Sequence, residues 1–282
     1  MSTHNRLTIT KITPAYWNVS INNPPINLYD PEMFAELNVL LDTLDDDKDV
    51  SVIVLESANP DYFVAHFDFV RADIIPNQPG AAEFTAWPRM MTRFAQSRVL
   101  SIAKLRGRAR GQGSELAFAC DIRFASKEKA ILGQPEVGVG VVPGGGGTEW
   151  VARLVGRARA LEILCGADDF DADTAEKYGW VNRSIPDAEL DAFVDKFARR
   201  VGSFLKRPLE LAKKLVNAHV GFPSEAELWN SNHAFLGTKS WPESQARVRK
   251  LVEMGFMQPG DMEMNMGERL GRAEDFKDLP IE

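Results

Sequence analysis

The chain has 282 residues, of which 44% are hydrophobic and 26% charged, and its formal net charge is −7, with a pI near 5.3. That length and apolar content support a sizeable core, in one large domain or one domain with an appendage. The acidic balance argues against a general nucleic-acid binder.

The opening MSTHNRLTITK lacks the apolar centre of a signal peptide, and no apolar run reaches membrane-spanning length. Cys120 and Cys165 both lie in apolar helical patterns, so buried free thiols in a reducing compartment are expected, with a cytoplasmic location and no membrane partner. His4, His219 and His233 are scattered without metal-ligand spacing, so no metal is expected.

Residues 7–12 and 16–21 alternate apolar with polar around Pro14-Ala15 and read as an opening hairpin. Asp30-Pro31 offers an N-cap followed by proline at the first helical position. The helix that follows carries Met33, Phe34, Leu37, Leu40, Leu41 and Leu44 at helical spacing. Residues 51–55 form a short Val/Ile-rich run, expected to be a buried parallel strand. Residues 63–68 read as a short strand ending where Asp68 can cap a turn. Residues 77–80 read as a loop, 81–96 as a helix despite Pro88, and 99–105 as another buried strand. Beyond Gly156 the pattern is almost wholly helical, interrupted by one strand at 181–185. The composition shifts near 202–208, dividing a mixed α/β core at 1–202 from a helical region at 203–282. The tail from 258 onward is charged and methionine-rich without clear periodicity, and its methionines read as packing.

The informative stretch runs from Gly107 to Thr148 and holds two carboxylates beside glycine-rich turns, Glu115 and Glu136. Glycine at a tight turn followed at once by a helix leaves amide N–H groups without internal partners. Two carboxylates converging near such donors suggest acid/base chemistry on a substrate whose oxygen becomes negative during reaction. Arg106, Arg108 and Arg110 read as solvated strand-edge charges. Gly144 to Gly147 lacks the Lys-Ser or Lys-Thr ending of a phosphate loop.

These residues resemble the crotonase superfamily, the enoyl-CoA hydratases and isomerases, over most of the chain up to about Arg247. GRARGQGSELA with Cys120-Asp121 after it is similar to the family's oxyanion turn and catalytic helix. Gly133-Gln134-Pro135-Glu136, followed by Pro143 and the glycines 144–147, is similar to its second carboxylate segment. DADTAEKYGWV is similar to the segment after the active-site helices. The resemblance implies an α/β fold built as a spiral of ββα turns, with C-terminal helices that assemble a trimer or a pair of trimers. It implies Phe67 and Gln112 as backbone donors to a thioester oxygen, and Glu115 and Glu136 as the acid/base pair. Ala65, His66, Asp68, Gly111, Gly113, Pro135 and Gly144 would lie along the acyl-CoA substrate, whose coenzyme A is not a separate cofactor.

The chain departs from the family pattern at His66, where glycine is common, at Phe67, where a small residue is common, and at Gln112, where glycine is again common. Main-chain donors survive such changes, but the pocket narrows. The stretch from Glu115 to Glu136 is also one residue longer than the family's usual spacing. That insertion is expected at 126–129 and is able to displace Glu136. The reading is hydration of 2-enoyl-CoA thioesters. The alternatives are a double-bond isomerase that depends on a single glutamate, and a catalytically weak acyl-CoA-binding protein whose pocket is blocked at His66-Phe67.

Overall fold

The computed structural model describes residues 5–71 and 86–279. The hairpin forms as expected: β1 (Leu7–Lys11) and β2 (Tyr16–Ile21) pair antiparallel, with Leu7 opposite Ile21. Asp30 caps α1 (Pro31–Asp46), its Oδ1 accepting from the Met33 amide at 2.8 Å, and Met33, Leu37, Leu40, Leu41 and Leu44 form the buried stripe.

From there the chain repeats a strand, strand, helix unit. The first turn is β3 (Val52–Ser57), β4 (Tyr62–Val64) and α2 (Ala86–Gln96). The second is β5 (Leu100–Leu105), β6 (Arg108–Arg110) and α3 (Gln112–Ala119). The third is β7 (Ile122–Ser126), β8 (Ile131–Gly133) and the one-turn α4 (Glu136–Val139). There follow α5 (Gly147–Val155), α6 (Arg157–Gly166), β9 (Asp169–Asp171), α7 (Ala172–Tyr178), β10 (Arg183–Ile185) and α8 (Asp187–Gly202). The first strand of each turn joins a six-stranded sheet in the order β1-β2-β3-β5-β7-β10, and the second joins a four-stranded sheet in the order β4-β6-β8-β9. Each turn therefore advances one strand in both sheets, which is a ββα spiral.

Of the expected helix at 81–96, the part before Ala86 lies outside the described residues, as does the loop expected at 77–80. Pro88 lies within α2 without preventing the expected helix. The C-terminal region contributes α9 (Lys206–Val220), α10 (Glu225–Lys239), α11 (Pro242–Glu253), α12 (Asp261–Met264) and α13 (Met266–Leu270). No helix among the described residues is long and apolar enough to cross a membrane.

Three local expectations are corrected by tertiary packing. Cys120 is buried, but Cys165, near the end of α6, is exposed. Arg110 is fully buried rather than solvated: its Nε and Nη2 donate to Asp169 at 2.7 Å each, and its Nη1 donates to the Glu263 carbonyl at 2.6 Å. Arg108 donates from Nε to the Met264 carbonyl at 2.9 Å, and Arg106 pairs with Asp187 and Asp191. The tail, read as aperiodic, folds back on the spiral. Phe256, Met257, Met262, Met266, Leu270 and Phe276 pack with Val139 and Leu251 in one buried cluster, so the methionines do serve packing.

Candidate active site

Strands β4, β6 and β8 run parallel in the small sheet, with Tyr62 beside Arg108, Arg108 beside Ile131 and Arg110 beside Gly133. Parallel strands end at the same edge, so the residues just after them, 65–67, 111–112 and 134–136, are gathered into one place. Phe67, Gln112, Glu115, Glu136, His66, Gly111, Pro135 and Gly144 line a single cavity of about 340 Å³. Glu136 is not turned away from the site: it lines the cavity together with Glu115.

Ala65, Asp68 and Gly113 do not reach the cavity wall. Ala65 is buried against Ile26 and Tyr62. The Asp68 carboxylate turns back to accept from the Val70 and Arg71 amides. Gly113 lies under β4, where an added Cβ would come within 2.1 Å of the Val64 carbonyl oxygen.

Two backbone donors face the cavity. Tyr29 N–H donates to His66 O at 2.8 Å, and Asp68 N–H donates to Tyr29 O at 3.0 Å. Along an extended segment successive amides alternate sides, so the intervening Phe67 N–H points away from Tyr29. Gln112 supplies the first amide of α3, beyond reach of the helix's own carbonyls. Neither N–H meets an acceptor among the described residues. Gly111 makes this turn at φ 50°, and a Cβ there would sit 2.9 Å from Glu136 Oε1.

The carboxylates are buried to different effect. Glu115 Oε1 accepts from the Gly145 amide at 3.1 Å and the Gly147 amide at 3.0 Å, and its Oε2 accepts from Trp87 Nε1 at 3.0 Å. Burial raises its pKa, and those three donors work against the rise. Glu136 has no side-chain or glycine-loop donor of that kind: its Oε2 is buried without a partner among the described residues, and its own backbone N–H lowers its pKa. Burial raises its pKa too, and the neighbouring Glu115 charge raises it further. The arrangement favours an ionised Glu115 beside a protonated Glu136.

His66 lines the cavity and is tied to the tail. Its Nδ1 lies 2.8 Å from the Phe67 carbonyl, which can only accept, so Nδ1 carries a hydrogen. Its Nε2 lies 2.8 Å from Glu263 Oε1, and its ring stacks on Phe256 at 4.4 Å. Burial would raise the Glu263 pKa, but His66, the Met257 amide and Arg110 outweigh it and hold the carboxyl below its ordinary value.

The family model for enoyl-CoA hydratase/isomerase matches residues 13–253. The chain belongs to that family and is an enzyme of it. This hydratase/isomerase-family chain is 30% identical over 218 residues to the short-chain-enoyl-CoA hydratase of Clostridium acetobutylicum, covering 77% of this chain and 83% of that one. It is 34% identical over 199 residues to the crotonyl-CoA hydratase of Syntrophomonas wolfei, covering 70% and 76%. A Streptomyces avermitilis crystal structure carrying a provisional enoyl-CoA hydratase name is 38% identical and superposes with a TM-score of 0.90 over 96% of this chain and 98% of that one.

Several cavity residues of this family member escape a reading of the sequence. Trp87 reads as one more apolar position of a helix. Asn232, Phe235, Leu236 and Lys239 line the cavity from α10, and Phe256 from the tail. The Asn232 side-chain amide donates to Gly144 O at 2.9 Å, tying α10 to the glycine loop. Their distance along the chain from the glycine motifs hides them.

Proposed function

We propose that the protein adds water across the double bond of 2-enoyl-CoA thioesters to give 3-hydroxyacyl-CoA. The observation that carries this reading is one cavity lined by two unpartnered amides, of Phe67 and Gln112, and by two buried carboxyls, Glu115 with three hydrogen-bond donors and Glu136 with an unpartnered oxygen. The two amides donate hydrogen bonds to the thioester oxygen. The Glu115 carboxylate takes a proton from water as its oxygen bonds to C3. The electron pair of the double bond moves toward the thioester oxygen, where the two N–H groups meet it. Glu136, as the neutral acid, gives its proton to C2, and a proton passed from Glu115 restores the pair. The relatives named for hydration of short enoyl-CoA esters support the same substrate class. The cavity beside His66 and Phe67 stays open to a ligand, which favours an enzyme over a blocked binding protein.

Presented with a 3-enoyl-CoA, the protein should leave it unconjugated. Growth of the conjugated absorbance without a change in mass would mark an isomerase and overturn the hydratase reading.

The assembly belongs to the same proposal. Leu205, Leu211, Leu215, Val216 and Val220 on and beside α9 are all more than half exposed, as is Trp241 before α11, more apolar surface on one region than a monomer usually leaves uncovered. Light scattering should show three chains or six. A monomer at micromolar concentration would contradict it.

A further inference from the structure

Glu115 Oε2 accepts one hydrogen bond, from the indole of Trp87. This donor differs from the Gly145 and Gly147 amides in being a side chain, brought by another helix. Trp87 lies on α2, 5% exposed, its ring packed on Tyr29 with centroids 4.2 Å apart. The glycine loop makes room for the contact: a Cβ on Gly145 would lie 2.0 Å from Glu115 Oε2 and 2.2 Å from Trp87 Nε1. Indole, carboxylate and loop therefore form one interlocked unit.

A carboxylate offers about four lone-pair positions. The two amides occupy Oε1 and the indole occupies one position on Oε2. One acceptor position on Oε2 is left, enough to grip a single water in a single orientation. Resting on the hydratase reading, we propose that Trp87 is a positioning residue: its indole N–H locks the Glu115 carboxylate, keeps it ionised and leaves it one lone pair with which to hold the attacking water.

The other groups facing Glu115 do not stabilise its charge: Glu149 from α5 places negative charge near it, Glu136 from α4 is buried beside it with an unpartnered oxygen among the described residues, and the Tyr29 phenol beside α1 is buried and held neutral. No other side chain among the described residues donates a hydrogen bond to Glu115.

Trp87→Phe keeps an aromatic ring and deletes the donor. A hydrogen bond to a charged group is worth enough to move a pKa by about one unit. Losing it raises the Glu115 pKa, so the acid limb of the kcat/KM profile should move to higher pH by about one unit, and kcat near neutrality should fall about tenfold while KM changes far less. A second readout needs neither catalysis nor that variant. With indole nitrogens labelled in the wild type, one of the six tryptophan resonances should shift steeply with pH, and in Glu115→Gln it should stop doing so. A titrating indole in a protein that hydrates nothing would uphold the Trp87 assignment while the hydratase reading falls. A Trp87→Phe profile that superimposes on the wild type's, or six indole resonances that ignore pH, would overturn it.

Discussion

Glu115→Gln and Glu136→Gln should each lower the turnover of hydration by about 10³-fold, and the double mutant should be little slower than the poorer single, because the two carboxyls act on one water as a unit. Their effects on stability should part company. A glutamine at 115 turns an amide NH₂ toward groups that are themselves donors, the Gly145 and Gly147 amides or the Trp87 indole, and should cost about 1–3 kcal/mol. At 136 the carboxyl removed is one that burial and the Glu115 charge hold above its ordinary pKa.

The pH dependence of the Glu136→Gln effect follows from that direction. Below the ordinary value of 4.5, folded and unfolded wild-type chains both carry the Glu136 proton, and the carboxyl imposes no penalty. As pH rises toward the folded value, the unfolded chain releases the proton first, and the wild type loses stability that a glutamine keeps. Glu136→Gln should therefore melt at the wild-type temperature near pH 4 and above it near pH 8.5, by about 2–4 °C for each kcal/mol gained. Calorimetry across that range checks it. Equal melting temperatures at pH 8.5 would mean that Glu136 is not held protonated.

Gln112→Pro should lower turnover by about 10²–10³-fold, the usual loss for one oxyanion donor, whereas Gln112→Ala should stay close to wild type. Gln112 is the first residue of α3, where proline fits and its missing N–H breaks no helical bond. The deleted amide is the one that faces the cavity. Stopped assays on both variants, with circular dichroism to show that each is folded, give the comparison. Equal damage from the two would shift the role to the Gln112 side chain and end the backbone-donor account.

The glycine turn and both carboxylates were legible in the chain because their signals are local. Gly111 before an apolar helix and Gln134-Pro135 before Glu136 each mark their turn within a few residues. The hairpin, the Asp30 cap and the Val/Ile-rich β3 were legible for the same reason. What stayed hidden depends on pairings across the chain. Strands β6 and β9 are three residues each, too short to show a period, and exist because β8 lies between them. Arg110 reads as a surface charge until Asp169 and the tail close over it. His66 meets Glu263 across 197 positions of sequence, a contact that no periodicity foreshadows. Trp87 carries an apolar label in any pattern, although its indole N–H is the atom that matters here.

Addition of one water to a conjugated thioester is tested most directly by incubation with a short trans-2-enoyl-CoA in ¹⁸O-labelled water, followed by mass analysis. The expected result is loss of the conjugated absorbance and a product heavier by one labelled water, formed by the wild type and almost absent with Glu136→Gln. Binding of the ester without addition of water, across a range of chain lengths, would contradict it.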